Sequence, residues 1–207
     1  MTDRLGFIGM GTMGFPMMVN LARARHEMLV YDIVPEVVEE AAVLRPVQGA
    51  ANPRAVAEGC KVIFTCLPSL SAVEAVYFGA DGLLAGLHEG TVTCDCSTVL
   101  PELALRQHAA AAEKGGQHVD GPVLGGPGAA RDGQLLPILS GSAQAVQALQ
   151  PYLPAFTRGH RHVGAAGAAS TYKVLHNGLG LTAAVAIAEA LAAVKQAGLD
   201  GQTFYDV

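Results

Sequence analysis

Short apolar runs alternate with longer stretches in which apolar residues recur every three or four positions. This alternation runs through most of the 207 residues. Leu5–Ile8 reads as a buried strand, and a helical pattern opens at about Thr12. Met28–Tyr31 is a second strand, followed by a helix over 35–44. Residues 61–66 read K-V-I-F-T-C, a buried strand closed by Leu67 and Pro68, with a helix over 71–78 behind it. A strand over 91–95 comes next, with Ser97 and Thr98 past its carboxyl end. A helix over 101–114 and a short strand, Gln117–Asp120, complete the series. Strands alternating with helices predict βαβ units and a mainly parallel, doubly wound α/β sheet of the Rossmann type. A glycine-rich loop over 120–128 is next, then two added strands, 135–139 and 161–163, with a helix between them.

The pattern changes near Ser170, where residues 170–197 read as one long helix. No charged side chain occurs for 15 residues between Lys173 and Glu189. That is short of the roughly 20 apolar residues a membrane span needs, and the segment contains His176 and Asn177, so no membrane partner is expected. A helix apolar nearly all round should be buried against something, and an unpaired apolar face is an interface candidate. A homo-oligomer formed through this helix is therefore expected. Gly198 ends it and Asp200 is placed to cap a further helix. The expected division is a nucleotide-binding domain over 1–165, and the long helix with the start of a further helical unit over 166–207.

The most informative chemistry lies between the first strand and the first helix. Gly9, Met10, Gly11, Thr12, Met13 and Gly14 give G-x-G-x-x-G. Gly9 permits a tight turn, Gly11 leaves no Cβ against a pyrophosphate, and Gly14 lets helix and strand pack closely. The helix N-terminus offers free N–H groups to the anion. Asp32 ends the second strand about 20 residues on, where an acid bonds ribose hydroxyls. The same Asp could instead cap the helix that starts at Pro35. Its charge would repel a 2′-phosphate, so NAD is favoured over NADP. Ligands of parallel sheets bind beyond the carboxyl ends of strands, which puts Leu67, Pro68, Ser97, Thr98 and Gly121 onward on the ligand side.

Bulk properties narrow the class. The net charge is −5 and only 15% of residues are charged, with no basic stripe, which excludes nucleic acid as the expected partner. Residues 1–4 are polar and the first apolar run is too short for a cleavable signal, so a cytoplasmic location is expected. The four cysteines, Cys60, Cys66, Cys94 and Cys96, form no C-x-x-C, and reduced buried thiols rather than a metal site are expected.

Lys173 and Asn177 stand four residues apart and share a helix face, with Gly180 leaving room one turn later. A Lys near a nicotinamide can serve as general base toward a hydroxyl, provided burial lowers its ordinary pKa of about 10.4.

Together these segments resemble the β-hydroxyacid dehydrogenases related to 3-hydroxyisobutyrate dehydrogenase. Gly9–Gly14 with Pro16, Met17, Asn20 and Leu21 resembles the family's opening motif. Thr65, Cys66, Leu67 and Pro68 resemble its cofactor-contacting strand end, and Asp95, Cys96, Ser97 and Thr98 its D-x-S-T segment. Asp120 through Gly126, with Gly128 through Arg131, resembles its substrate loop, and Lys173 and Asn177 fall on its catalytic Lys and substrate-contacting Asn. The resemblance implies reversible oxidation of a short hydroxy acid by NAD(P), Lys173 taking the hydroxyl proton. It implies a substrate site built from Val123, Leu124, Gly125, Gly126, His176 and Asn177, with N–H groups of Gly125 and Gly126 on the carboxylate. It also implies a further all-helical domain that closes the cleft and builds the dimer; these residues are expected to stop where that domain begins.

Three positions depart from the family pattern. Leu124 stands where a Ser usually bonds the substrate carboxylate, and a missing charge-assisted bond of this kind is worth about 1.5–3 kcal/mol. Ala169 replaces a Gly before the lysine, and His176 gives K-V-L-H-N-G, which resembles the related 6-phosphogluconate dehydrogenases. Gly180 stands where those enzymes carry an acidic proton donor. An imine or semialdehyde reductase on the same scaffold, or a non-catalytic NAD-binding module, are the alternatives.

Overall fold

The computed structural model describes residues 4–207. Its elements run β1 (Leu5–Ile8), α1 (Gly14–Arg23), β2 (Met28–Tyr31), α2 (Pro35–Ala42), β3 (Val47–Gly49), α3 (Pro53–Gly59), β4 (Val62–Thr65), α4 (Leu70–Phe78) and α5 (Leu83–Gly86). Then come β5 (Val92–Asp95), α6 (Pro101–Glu113), β6 (Gln117–Asp120), β7 (Val123–Leu124), α7 (Pro127–Arg131), β8 (Leu136–Leu139), α8 (Ala143–Leu149), β9 (Arg161–His162), α9 (Ala168–Gln196) and α10 (Gly201–Asp206).

Six strands form one parallel sheet in the order β3-β2-β1-β4-β5-β6. The order reverses between β1 and β4, so the crevice at their carboxyl ends lies at the topological switch point where dinucleotides bind. Both sheet faces are covered, and successive residues of a strand supply opposite cores. Phe7 and Phe64 pack with Met17, Met18 and Leu21 of α1, while Ile8 and Ile63 pack with Val73, Tyr77 and Leu103 on the other side. This explains the unbroken apolar runs of β1 and β4, since strands buried on both faces need no polar alternation.

The two added strands do not extend this sheet. β7 pairs antiparallel with β8, and β8 pairs parallel with β9, as a separate three-stranded sheet. Asp120 and Ser140 bridge the two sheets through their backbones. The loop over 120–128 thus contains β7 and leads directly into α7.

The long helix, α9, has 29 residues and a mean hydropathy of 1.6 over its most apolar stretch, enough by length and composition to cross a membrane. Its bounds lie close to the expected 170–197; only the 15 uncharged residues between Lys173 and Glu189 fall short of a span, and the helix continues past both. Only Ala169 and Ser170 of α9 are buried in the chain by itself. Leu175, Leu179, Leu181, Val185 and Ile187 are all exposed. The burial expected for this helix is therefore not supplied by the described residues. Asp200 caps α10 as expected, accepting from the Thr203 N–H at 2.7 Å.

Candidate active site

The turn after β1 is built by glycines with separate tasks. Gly9 has φ +88°, and a Cβ there would stand 2.4 Å from the Cys66 carbonyl oxygen on β4's extension. A Cβ on Gly14 would stand 1.9 Å from the Gly9 carbonyl oxygen, so helix α1 reaches the strand only without a side chain. Gly11 differs: a Cβ there would meet nothing within 4 Å. The N–H groups of Gly11, Thr12 and Met13 have no partner among the described residues. An open cradle edged by three unpaired donors at a helix N-terminus fits a dinucleotide pyrophosphate.

Asp32 sits at the end of β2 beside this cradle. Its Oδ2 accepts the Met10 N–H at 2.6 Å and its Oδ1 accepts the Val34 N–H at 2.9 Å. The side chain does not cap α2, whose N-cap is Val34. Met10 is buried, and its N–H serves Asp32 rather than a phosphate. Each Asp32 oxygen keeps a lone pair for a ribose hydroxyl. Beside it Ile33 is 85% exposed, an apolar surface where a 2′-phosphate would need a cation.

The ends of β4 and β5 are held by a buried polar network that leaves no mark in the sequence pattern. Asp95 Oδ1 accepts from Thr65 Oγ1 at 2.8 Å and from the Ser97 N–H at 3.0 Å, and its Oδ2 accepts from Gln107 Nε2 at 2.9 Å. Burial pushes the Asp95 carboxyl above the usual carboxylate range, against the downward pull of these bonds. Ser97 Oγ in turn accepts the Leu67 N–H at 2.8 Å. The two loops at the switch point, one with Leu67 and Pro68 and one with Ser97 and Thr98, are thereby tied together, leaving Pro68 and Thr98 exposed on the cleft side. The expected thiols are free, with Cys60, Cys94 and Cys96 buried and Cys66 partly so.

Lys173, in the second turn of α9, reaches over β7, and its Nζ donates to the Val123 carbonyl oxygen at 2.9 Å. Burial lowers its pKa from the ordinary lysine value, the direction required of a general base. Val123 is buried, so its part here is to hold the amine through its backbone. Leu124 is half-buried and pairs with Leu136 across the small sheet. Gly125 has φ +116°, a conformation that favours glycine, and Gly126 faces open space. Asn177 is half-buried one turn beyond Lys173, on the same face, while His176 is exposed. The structure thus brings Lys173 to the 123–126 loop from 50 residues away in sequence, with Asn177 one turn further along α9. His108, His118 and Asp120 bring ligand atoms within 4.8 Å of one another behind this loop, joined by a His108–Asp120 hydrogen bond and edge-on ring packing.

A family model described as the NAD binding domain of 6-phosphogluconate dehydrogenase matches residues 4–172. The 3-hydroxyisobutyrate dehydrogenase of Pseudomonas aeruginosa is 39% identical over 207 residues, covering 100% of this chain and 69% of that protein. The chain belongs to the β-hydroxyacid dehydrogenase family. The NAD-dependent L-serine dehydrogenase of the same bacterium is 35% identical over 204 residues, covering 99% of this chain and 68% of that protein. A solved 3-hydroxyisobutyrate dehydrogenase from Mycobacterium tuberculosis, with L-serine, is 30% identical with a TM-score of 0.91. It covers 100% of this chain, α9 included, and 69% of that structure. The nucleotide-binding domain and the dehydrogenase class expected from the motifs are borne out by these relatives.

Proposed function

We propose that this β-hydroxyacid dehydrogenase transfers hydride between NAD and a short β-hydroxy acid resembling 3-hydroxyisobutyrate, with Lys173 as the general acid/base. The observation that carries the reading is the Lys173 amine, lowered in pKa by burial and seated over the 123–126 loop. NAD, when bound, would supply the hydride acceptor. Lys173 takes the substrate hydroxyl proton in oxidation and returns it in reduction. The 125–126 backbone N–H groups receive the substrate carboxylate, and Asn177 orients the hydroxyl or the amine. Gly9, Gly11, Thr12, Met13 and Gly14 hold the pyrophosphate. Asp32 holds the adenosine ribose, directly supported by Met10, with Leu67, Pro68 and Thr98 lining the nicotinamide end.

Two features adapt the site. Leu124 leaves the carboxylate to the backbone donors and favours a substrate with an apolar substituent on that side. Asp32 and the exposed Ile33 favour NAD over NADP, because neither can neutralise a 2′-phosphate. The exposed apolar side chains of α9 support covering by a second subunit, which light scattering would register as a dimer or larger. A cytoplasmic location accords with this metabolic role.

The test is NAD reduction monitored over a panel of short β-hydroxy acids, with NADH and NADPH titrated in parallel. Turnover with one or more panel members and tighter NADH than NADPH binding are expected. Tighter NADPH binding would overturn the cofactor assignment, and turnover confined to imines or semialdehydes would overturn the substrate class.

A further inference from the structure

Helix α9 begins without a cap of its own. Its N-cap, Gly167, has φ +81° and no side chain to turn back on the first N–H groups. The Ala168 N–H bonds locally to the Ala165 carbonyl oxygen at 3.2 Å, but the N–H groups on either side of it are satisfied from far away in sequence. The Gly167 N–H donates to Asp120 Oδ2 at 2.8 Å, and the Ala169 N–H donates to Ser140 Oγ at 2.9 Å. Ser140 Oγ donates to the same Asp120 oxygen at 2.6 Å, and the two residues also exchange backbone bonds at 3.1 and 3.0 Å. The second oxygen, Asp120 Oδ1, is engaged by His108 Nε2 at 2.6 Å. Asp120 is 1% exposed and Ser140 is fully buried. Burial by itself would raise the Asp120 carboxyl. The bonds from His108 and Ser140 outweigh it and hold the group below the ordinary value, so a buried anion sits at a helix N-terminus.

This arrangement bears on the lysine. Lys173 lies four residues beyond Ala169, about 6 Å along the helix. Val123, whose carbonyl takes the Lys173 amine, lies three residues beyond Asp120 on the same chain segment. One segment therefore supplies both the acid that holds the helix start and the carbonyl that holds the amine. Past Ser170 no residue of α9 is buried in this chain, so the first turn is where the described residues fix the helix.

We propose that Asp120, relayed through Ser140, is a positioning residue for Lys173: it clamps the first turn of α9 to the end of β6 and so sets where the lysine amine stands above the substrate loop. Its catalytic consequence rests on Lys173 being the acid/base group, but the clamp itself is testable without turnover.

The chain has four lysines, Lys61, Lys114, Lys173 and Lys195, so carbon-13 reductive methylation gives few lysine signals, with Lys173→Arg identifying that of Lys173. The signal is titrated in the wild type, Asp120→Ala, Asp120→Asn and Ser140→Ala, with amide exchange at Gly167 and Ala169 measured alongside. The wild-type Lys173 midpoint is expected below that of the other lysines. In Asp120→Ala it should rise toward theirs, and the two amides should exchange roughly 10- to 100-fold faster, as expected for a lost charge-assisted bond. Simple removal of a negative charge would move the midpoint the opposite way. Asp120→Asn keeps an acceptor for Gly167 and Ser140, so it should retain the wild-type midpoint. Ser140→Ala should loosen Ala169 and raise the midpoint partway, and it decides the matter if Asp120→Ala does not fold. A folded Asp120→Ala or Ser140→Ala with Lys173 titrating as in wild type would overturn the clamp. Loss of the clamp with turnover indifferent to Lys173→Ala would instead overturn the catalytic assignment and leave the clamp standing.

Discussion

Gly11 and Gly14 belong to one motif, yet the structure assigns them opposite sensitivities. At Gly14 an added Cβ would lie 1.9 Å from the Gly9 carbonyl oxygen, a backbone atom that cannot move without displacing β1 or α1. Overpacking of this kind costs about 1–3 kcal/mol and more against backbone. In a domain of this size each kcal/mol is worth about 2–4 °C, so Gly14→Ala, at the upper end of about 3 kcal/mol, should lower the melting temperature by roughly 6–12 °C. At Gly11 an added Cβ meets nothing within 4 Å. Gly11→Ala should leave the melting temperature unchanged or raise it by up to about 4 °C, because Ala restricts the unfolded chain by about 0.4–1 kcal/mol. The new methyl occupies the space assigned to the pyrophosphate. Loss of one charge-assisted bond there, about 1.5–3 kcal/mol, weakens NADH roughly 10- to 100-fold. Thermal unfolding and NADH fluorescence titration on both variants separate the two effects. A Gly11→Ala protein that binds NADH like wild type, or a Gly14→Ala protein that melts like wild type, would refute this reading of the motif.

Two further predictions concern other parts of the molecule. Leu124→Ser should restore a hydroxyl to the substrate loop and lower KM for an unbranched hydroxy acid roughly tenfold or more, given about 1.5–3 kcal/mol for a charge-assisted bond; an unchanged KM would count against placing the carboxylate at this loop. Burial, with the nearby His108, lowers His118 to about 3 in the folded chain. The unfolded chain then binds a proton first as pH falls below about 6.5, so stability is full above that value and lost toward pH 3. Urea unfolding should show about 2 kcal/mol less stability at pH 5 than at pH 7, a loss that His118→Gln should largely abolish.

Much of the main sheet was legible because its central strands are unbroken apolar runs buried on both faces, as at Phe7 and Phe64, and because Gly9, Gly14 and Asp32 sit at spacings fixed by backbone geometry. β3 was not legible: Val47–Gly49 is three residues long at the sheet edge, with only Val47 buried, so no periodicity could mark it. α3 does carry a local signal, since Asn52 caps it by accepting from the Ala55 N–H at 2.8 Å and Pro53 opens it, but seven residues are too few to show a helical period. The strands over 135–139 and 161–163 were legible, but their separate sheet was not, because β7 has two residues and exists only through pairing with β8. In the site, Lys173 and Asn177 were found by helical spacing. The partner of Lys173, the Val123 carbonyl, was not, because a backbone acceptor leaves no mark on side-chain identity. Asp120 and Ser140 escaped for a related reason: the bonds they make to Gly167 and Ala169 span 47 and 29 residues.

The central claim is that Lys173 moves the substrate proton. Its most direct test is the rate of NADH formation from the best β-hydroxy acid by wild type and Lys173→Ala, with NADH affinity measured on both. The account predicts that the variant binds NADH as wild type does and loses turnover. Turnover at the wild-type rate in Lys173→Ala would contradict it.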